Sequence, residues 1–349
     1  MRPSMSPRGF AAAISLVILV AVTSCSPQPA ASTPTSGSPS APVTASPSAT
    51  ATPTAAVTAL RTTVPLPSFA EISAPSGTVV WALVGGVLLF RSLDRGDTWE
   101  QRPLPASLQN PEIAFVNDRE GWLSLAGSPA TQCQFQTIAI WHTTDAGTRW
   151  EKLSASGIAD AMCKGALSFS DASLGSIDAY SPNAPPVIYR TTDGGRTWGG
   201  SLPLPDPPGF TTQPGGLSLQ PGAVRSFGSI SLLPAQGSTA AGRRLYVFRS
   251  RDGGASWTYA ATAPRSDGPL VIVTATRWLR IVPASGAQET TDGGVTWHAY
   301  VTDYQQAAPV DPMIVFGDPN VAFATVRGAI QRTVDGGAHW TPVKTPGTG

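Results

Sequence analysis

Carboxylates are the groups in this chain whose number and placement could do chemistry. Asp171, Asp178, Asp206, Asp303 and Asp311 lie scattered along it, and glycoside hydrolysis needs only two opposed carboxyl groups about 5 to 10 Å apart. The sequence pairs none of them. His142, His298 and His339 are too dispersed to support a zinc site or a Ser-His triad. No catalytic, cofactor-binding or metal-ligating residue is assigned.

A second set of aspartates is regular. Asp94, Asp145, Asp193, Asp252, Asp292 and Asp335 follow one another at steps of 51, 48, 59, 40 and 43 residues. Each sits in the same short phrase, Ser/Thr-x-Asp-x-Gly-x-(Thr/Ser)-Trp, ending at Trp99, Trp150, Trp198, Trp257, Trp297 and Trp340. Arg149 and His339 replace the hydroxyl residue before Trp in two copies. The glycine accepts a positive φ at no steric cost, the Asp and Ser/Thr side chains can hold free backbone groups at a bend, and the Trp can bury a large apolar surface beneath it. The phrase therefore predicts a turn. One carboxylate per turn is a poor metal site, and only the first copy offers a second acid, Asp97 beside Asp94.

This phrase resembles the Asp-box (BNR) repeat, and the resemblance runs over residues 69 to 345. Families sharing it include bacterial and viral sialidases, sortilin-type receptors, some glucan hydrolases and photosystem II assembly-factor-like propellers. The resemblance implies that the box joins the third and fourth strands of a blade and is structural. Steps of about 40 to 50 residues suit four-stranded blades. The expected fold is all-β, a six-bladed β-propeller of four-stranded antiparallel blades with a box in each, over residues 65–349. A seventh blade has no room.

What precedes the propeller reads as an address. Arg2 and Arg8 lead an apolar run from Phe10 to Val22, followed by Thr23-Ser24-Cys25. That is a signal peptide over residues 1–24, too short to span a membrane comfortably. Val22 to Cys25 resembles a bacterial lipobox, which implies that Cys25 is diacylated and anchors the protein to the outer side of the cell membrane; an ordinary secretory signal is the alternative. Residues 25–64 then form a disordered tether, of which residues 26–56 hold 13 Ser or Thr, 8 Ala and 7 Pro. Fully extended, that stretch reaches roughly 95 Å.

Composition agrees with an exported all-β domain. Only 13% of residues are charged, and 34 Pro and 35 Gly suit many short strands joined by turns. The net charge of +1 becomes −1 once Arg2 and Arg8 leave with the leader. Such a balance gives no reason to expect nucleic acid as a partner. A monomer is expected.

Strands are legible in most repeats: 79–84 and 87–92; 112–116, 122–126, 137–143 and 150–153; 270–274 and 278–282; 313–316, 321–326, 329–333 and 340–344. Repeats three and four are less regular, with strands expected at 166–170, 187–191, 226–232 and 245–250. Trp81, Trp122 and Trp278 fall at similar second-strand positions and read as packing residues.

A meander blade puts all boxes on one face. The longer connections, Gly127 to Gln136, Ser154 to Gly165, Leu204 to Val224 and Pro234 to Arg243, fall opposite and form the expected binding face for a protein or carbohydrate. Cys133 and Cys163 both belong to that loop face, and an exported compartment permits their disulfide, free buried thiols being the alternative.

Two functions compete. Sialidases, which the chain resembles, need an arginine cluster, an acid/base Asp and a Tyr nucleophile paired with a Glu, with an Arg-Ile-Pro motif opening the first blade. Here no Arg lies between Arg61 and Arg91, no Asp precedes Asp94, and Arg280-Ile281-Val282-Pro283 stands in the wrong blade. Those catalytic residues do not carry over. The preferred reading is a non-catalytic binding or scaffold propeller, with a glycoside hydrolase as the alternative.

Overall fold

The computed structural model describes residues 70–105, 108–182, 184–213, 218–239, 242–265, 268–281, 287–304, 313–326 and 329–347. The leader, Cys25, the tether, residues 65–69 and Asp311 lie outside them.

Six antiparallel sheets follow one another around a ring, each made from one contiguous stretch of chain. Blade 1 comprises β1 (Ala70–Ser73), β2 (Val80–Val84), β3 (Leu88–Ser92) and β4 (Glu100–Arg102). Blade 2 comprises β5 (Glu112–Phe115), β6 (Gly121–Ala126), β7 (Ile138–Thr143) and β8 (Glu151–Leu153). Blade 3 is β9 (Cys163–Phe169), β10 (Gly175–Ser181), β11 (Ala184–Thr191) and β12 (Gly199–Gly200). Blade 4 has a first strand in two pieces, β13 (Gln220–Pro221) and β14 (Arg225–Phe227), then β15 (Ile230–Thr239), β16 (Gly242–Ser250) and β17 (Thr258–Thr262). Blade 5 is β18 (Leu270–Ile272), β19 (Trp278–Arg280), β20 (Ala287–Thr290) and β21 (His298–Tyr300). Blade 6 is β22 (Ile314–Phe316), β23 (Ala322–Val326), β24 (Ala329–Thr333) and β25 (Thr341–Val343). The fold is a six-bladed β-propeller.

The repeated turn joins the third and fourth strands of every blade, and its side chains do the work of missing backbone partners. The leading hydroxyl donates to the Asp at 2.7–3.0 Å and accepts the glycine N–H at 2.7–3.0 Å, as in Thr191 with Asp193 and Gly195. The Asp then accepts the N–H four residues on at 2.8–3.0 Å. Four copies add a hydroxyl donor at 2.5–2.6 Å, Thr98, Thr197, Ser256 and Thr296. In the sixth, the His339 imidazole takes that place at 2.6 Å from Asp335. In the second, Arg149 lies 3.8 Å from Asp145. Hydrogen bonds from the hydroxyl and backbone of Thr98, and of Thr197 and Thr296 in their copies, bring Asp94, Asp193 and Asp292 down to about 2. At Asp335 burial works upward, and the His339 bonds outweigh it to give about 2.

Aromatic packing joins one blade to the next. Trp81, Trp122 and Trp278 are fully buried. Trp81 of blade 1 stacks on Phe115 of blade 2 with centroids 3.7 Å apart, and Trp122 of blade 2 stacks on Phe169 of blade 3 at 3.6 Å. The turn tryptophans divide: Trp198, Trp257 and Trp340 are buried, whereas Trp99, Trp150 and Trp297 are half-buried.

Among the described residues no strand crosses from blade 6 to blade 1, and side chains join the two blades. Ile72, Val80, Ala82 and Phe90 pack on Val321, Phe323 and Ile330. The Arg332 guanidinium donates to the Arg95 carbonyl and to Asp97, both at 2.8 Å.

Several expectations need correction. β1 and β10 were not anticipated, and β9 begins at Cys163, which therefore opens a strand instead of lying in a connection. The strand expected at 226–232 is broken by a tight hairpin in which Phe227 pairs with Ile230. Pro234 to Arg243 is no long loop, because β15 and β16 run paired from Ser231↔Ser250 to Thr239↔Gly242. Pro234 reads as a loop marker because it cannot donate to a ladder. Here its carbonyl accepts Gly222 N–H at 2.8 Å, so its backbone faces the first strand. That strand bulges there, with four steps from Pro221 to Arg225 opposing three from Ala235 to Leu232. The donor that Pro234 lacks thus falls opposite a gap in the pairing. The Leu204 to Val224 segment is also no free loop, since Leu204, Phe210 and Leu219 are buried against Trp257.

Candidate functional site: the central channel

The first strands of all six blades line a central cavity of about 1400 Å³. Each is the edge of its sheet, so its outer row of backbone N–H and C=O groups faces the channel. Blades 1 to 3 cover these edges with side chains from the preceding blade. Met313 Sδ of blade 6 accepts Ile72 N–H at 3.2 Å. From β1, Glu71 accepts Ile113 N–H at 2.9 Å, and Ser73 Oγ accepts Phe115 N–H at 2.9 Å. From β5, the two oxygens of Glu112 take Ala166 N–H and Leu167 N–H, each at 3.0 Å.

That last clamp depends on a bulge. The pairing of β9 with β10 slips by one residue between Ser176↔Ser168 and Asp178↔Gly165, and Ala166 adopts φ 52°. The slip brings two successive N–H groups to the same carboxylate. Asp178, buried on β10 behind the bulge, has one oxygen without a hydrogen-bond partner. Burial and then the Glu112 charge push its carboxyl up to about 8. Glu71 is likewise raised to about 8, by burial foremost.

The other half of the channel is built differently. Arg225, at the bulge of blade 4, reaches past blade 5 and donates from one terminal nitrogen to the Phe316 carbonyl of blade 6 at 2.8 Å. Burial lowers its pKa.

The remaining candidate carboxylates serve the chain locally. Asp171 accepts Ser173 and Leu174 N–H in a turn, Asp206 holds Thr212, and Asp303 accepts Trp340 N–H at 2.8 Å. Arg280 is buried and donates to the Gly268 carbonyl. His142 pairs with Glu120 at 3.1 Å, while His298 and His339 sit on separate blades. Among the described residues, no three His, Cys, Asp or Glu are grouped to hold a metal.

On the loop face, Cys133 and Cys163 form a disulfide that ties the β6–β7 connection to β9. Beside it the buried Lys164 ammonium donates to the carbonyls of Gln136, Ala161 and Met162 at 2.7–2.9 Å. Sequence reasoning missed Glu71, Glu112, Lys164 and Arg225. For the first two a signal existed: the pairs Glu71-Ile72 and Glu112-Ile113 stand at or next to the start of the first strands of consecutive blades.

The ring and its channel define the class, a six-bladed β-propeller. No protein-family model and no curated protein matches the chain. Among solved structures, the Hadza microbial sialidase Hz136 is similar at TM-score 0.52 and 15% identity, over 76% of this chain and 66% of that one. Penicillium chrysogenum α-L-arabinanase, complexed with arabinobiose, is similar at TM-score 0.51 and 14% identity, over 82% and 94%. YCF48 bound to D1 peptide matches at TM-score 0.43 and 18% identity, over 83% and 91%. At such identities the likeness is one of fold.

Proposed function

We propose that this propeller is a non-catalytic binding module, anchored through Cys25 to the outer side of a bacterial cell membrane and holding a protein ligand. The observation that supports it most is the use made of Glu71 and Glu112. Both line the cavity, and both are engaged by backbone N–H groups of the next blade. A glycosidase needs one carboxyl free to give a proton and another opposed to it.

The hydrolase alternative rests on Asp178, whose carboxyl burial pushes up to about 8 and which neighbours Glu112, so that it could act as a general acid. Against it, Asp178 stands on the second strand, behind the wall that Glu112 clamps. The test is a panel of fluorogenic glycosides, sialosides included, offered to the purified chain. No turnover is expected. Cleavage at ordinary enzyme rates, abolished by Glu112→Gln or Asp178→Asn, would replace the binding reading with the hydrolase.

A further inference from the structure

Arg225 is the charged group of the channel that the fold does not account for. It has five N–H donors, and its one hydrogen bond among the described residues goes to a neutral carbonyl. No carboxylate among the described residues pairs with it. Arg225 is half-buried, and a cation partly withdrawn from bulk water gains from a counter-charge. The arrangement is therefore incomplete in a way that an anion would complete, and the guanidinium fork suits a carboxylate.

The strand nearest this cation is also uncovered. Because Arg225 of blade 4 bonds to Phe316 of blade 6, its side chain crosses the sector of blade 5, in front of β18. At the two ends of β18, Pro269 accepts Ile281 N–H and Val273 donates to the Arg277 carbonyl, so those flanking residues face β19. Alternation then turns the backbone of Leu270 and Ile272 to the channel. Side chains cover the equivalent edges of β1, β5 and β9, whereas no described side chain bonds to this one. An open row of N–H and C=O groups is the template on which an extended segment adds as a strand.

The remaining wall argues against a sugar. Phe115 and Phe169 line the cavity, but each lends a face to a stacked tryptophan. The cavity, about 1400 Å³, exceeds the roughly 300 to 1,000 Å³ of a drug-sized site.

Building on the binding-module reading above, we propose that the channel receives an extended polypeptide end, paired to β18 through Leu270 and Ile272, with its terminal carboxylate on Arg225. Backbone pairing supplies affinity with little dependence on sequence, and the guanidinium sets direction and register.

The test offers the full chain an equimolar library of N-acetylated pentapeptides with free C-termini, beside the same library carboxamidated. Bound peptides are read by mass spectrometry. Acid peptides should be retained, and their amides should bind about tenfold more weakly or worse, as expected when a charge-assisted bond is lost. Arg225→Gln should erase the distinction between the two libraries. N-methylation along a selected peptide should abolish binding at alternate residues only. Equal retention of acids and amides overturns the proposal, and so does retention of neither. Arg225-dependent binding of glucuronate or N-acetylneuraminate with no peptide retained marks a small-acid site and also overturns it. The amide comparison needs no variant, so it stands even if Arg225→Gln fails to fold. Glycoside turnover sinks the binding-module reading in a separate assay, whereas failure here alone leaves that reading with the loop face as its surface.

Discussion

Asp178 and Glu112 converge on one α-carbon: an oxygen of each lies 3.4 Å from where a β-carbon on Gly165 would stand. Two carboxyl groups from neighbouring blades thus border the same space beside Gly165. Burial there favours the protonated form of Asp178, while Glu112 remains the acceptor of two backbone N–H groups.

A pH dependence follows from two buried carboxyls, those of Asp178 and Glu71. Asp178 and Glu71 are raised to about 8 in the fold and have pKa values of about 4 when unfolded. Between those values the folded state holds protons that the unfolded state has released, so stability should fall as pH rises from about 4 to 8 and then level. The turn aspartates act in the opposite sense. Held at about 2, Asp94, Asp193, Asp292 and Asp335 contribute stability above about pH 4 that is lost as pH falls toward 2. Melting measured from pH 3 to 9 should therefore peak near about pH 4 to 5, and Asp178→Asn should flatten the alkaline slope. A wild-type midpoint that climbs from pH 5 to 8 would contradict the assignment.

The repeated turn should be costly to break at its buried hydroxyl. Thr191→Val removes the acceptor of Gly195 N–H and a donor to Asp193, at a cost of about 1 to 3 kcal/mol for the groups left unpaired. Urea denaturation reads this directly, and an unchanged midpoint would mean that water replaces the hydroxyl freely.

The turn tryptophans should not be equivalent. Trp198 is buried and Trp99 half-buried. Trp198→Ala should cost about 3 to 5 kcal/mol, the usual range for a buried aromatic, and Trp99→Ala clearly less. Equal losses would show that burial at the turn does not govern the effect.

The disulfide closes a stretch of 30 residues, for which the chain-entropy model gives about 3.6 kcal/mol. A non-reduced digest should join the Cys133 and Cys163 peptides, and Cys133→Ser with Cys163→Ser should lower the unfolding midpoint accordingly. Two free thiols in the oxidised protein would refute it.

Anchoring has its own test. On the proposed anchoring, Cys25→Ser should move the protein from the membrane fraction to the soluble one, because it would lose the acyl chains that stable attachment needs. A variant that stays in the membrane fraction rules out Cys25 as the anchor.

What was legible in the sequence was local. Each turn declares itself because Asp, Gly and Trp lie within one short phrase, and six such phrases imply six blades. Glu71 and Glu112 stayed hidden because their partners are N–H groups in another blade, 42 and 54 or 55 residues away. Pro234 misled for a related reason: its missing donor is matched by a bulge in a strand whose pairing no local pattern reveals. Arg225 carries no signal of its own, since nothing near it in sequence places it opposite Phe316.

The seam between blades 6 and 1 has a mechanical consequence. Among the described residues, β1 is held by backbone bonds to β2 over four residues, and beyond that by Glu71, Ser73, Met313 and apolar contact. Tension applied to the chain ahead of Ala70 falls first on this strand, which lies in the channel wall. A molecule pulled from its N-terminal side should therefore yield at the seam, strand by strand, before the other blades bear load. A pull between two points inside blades 3 and 4 would instead meet the long β15–β16 pairing.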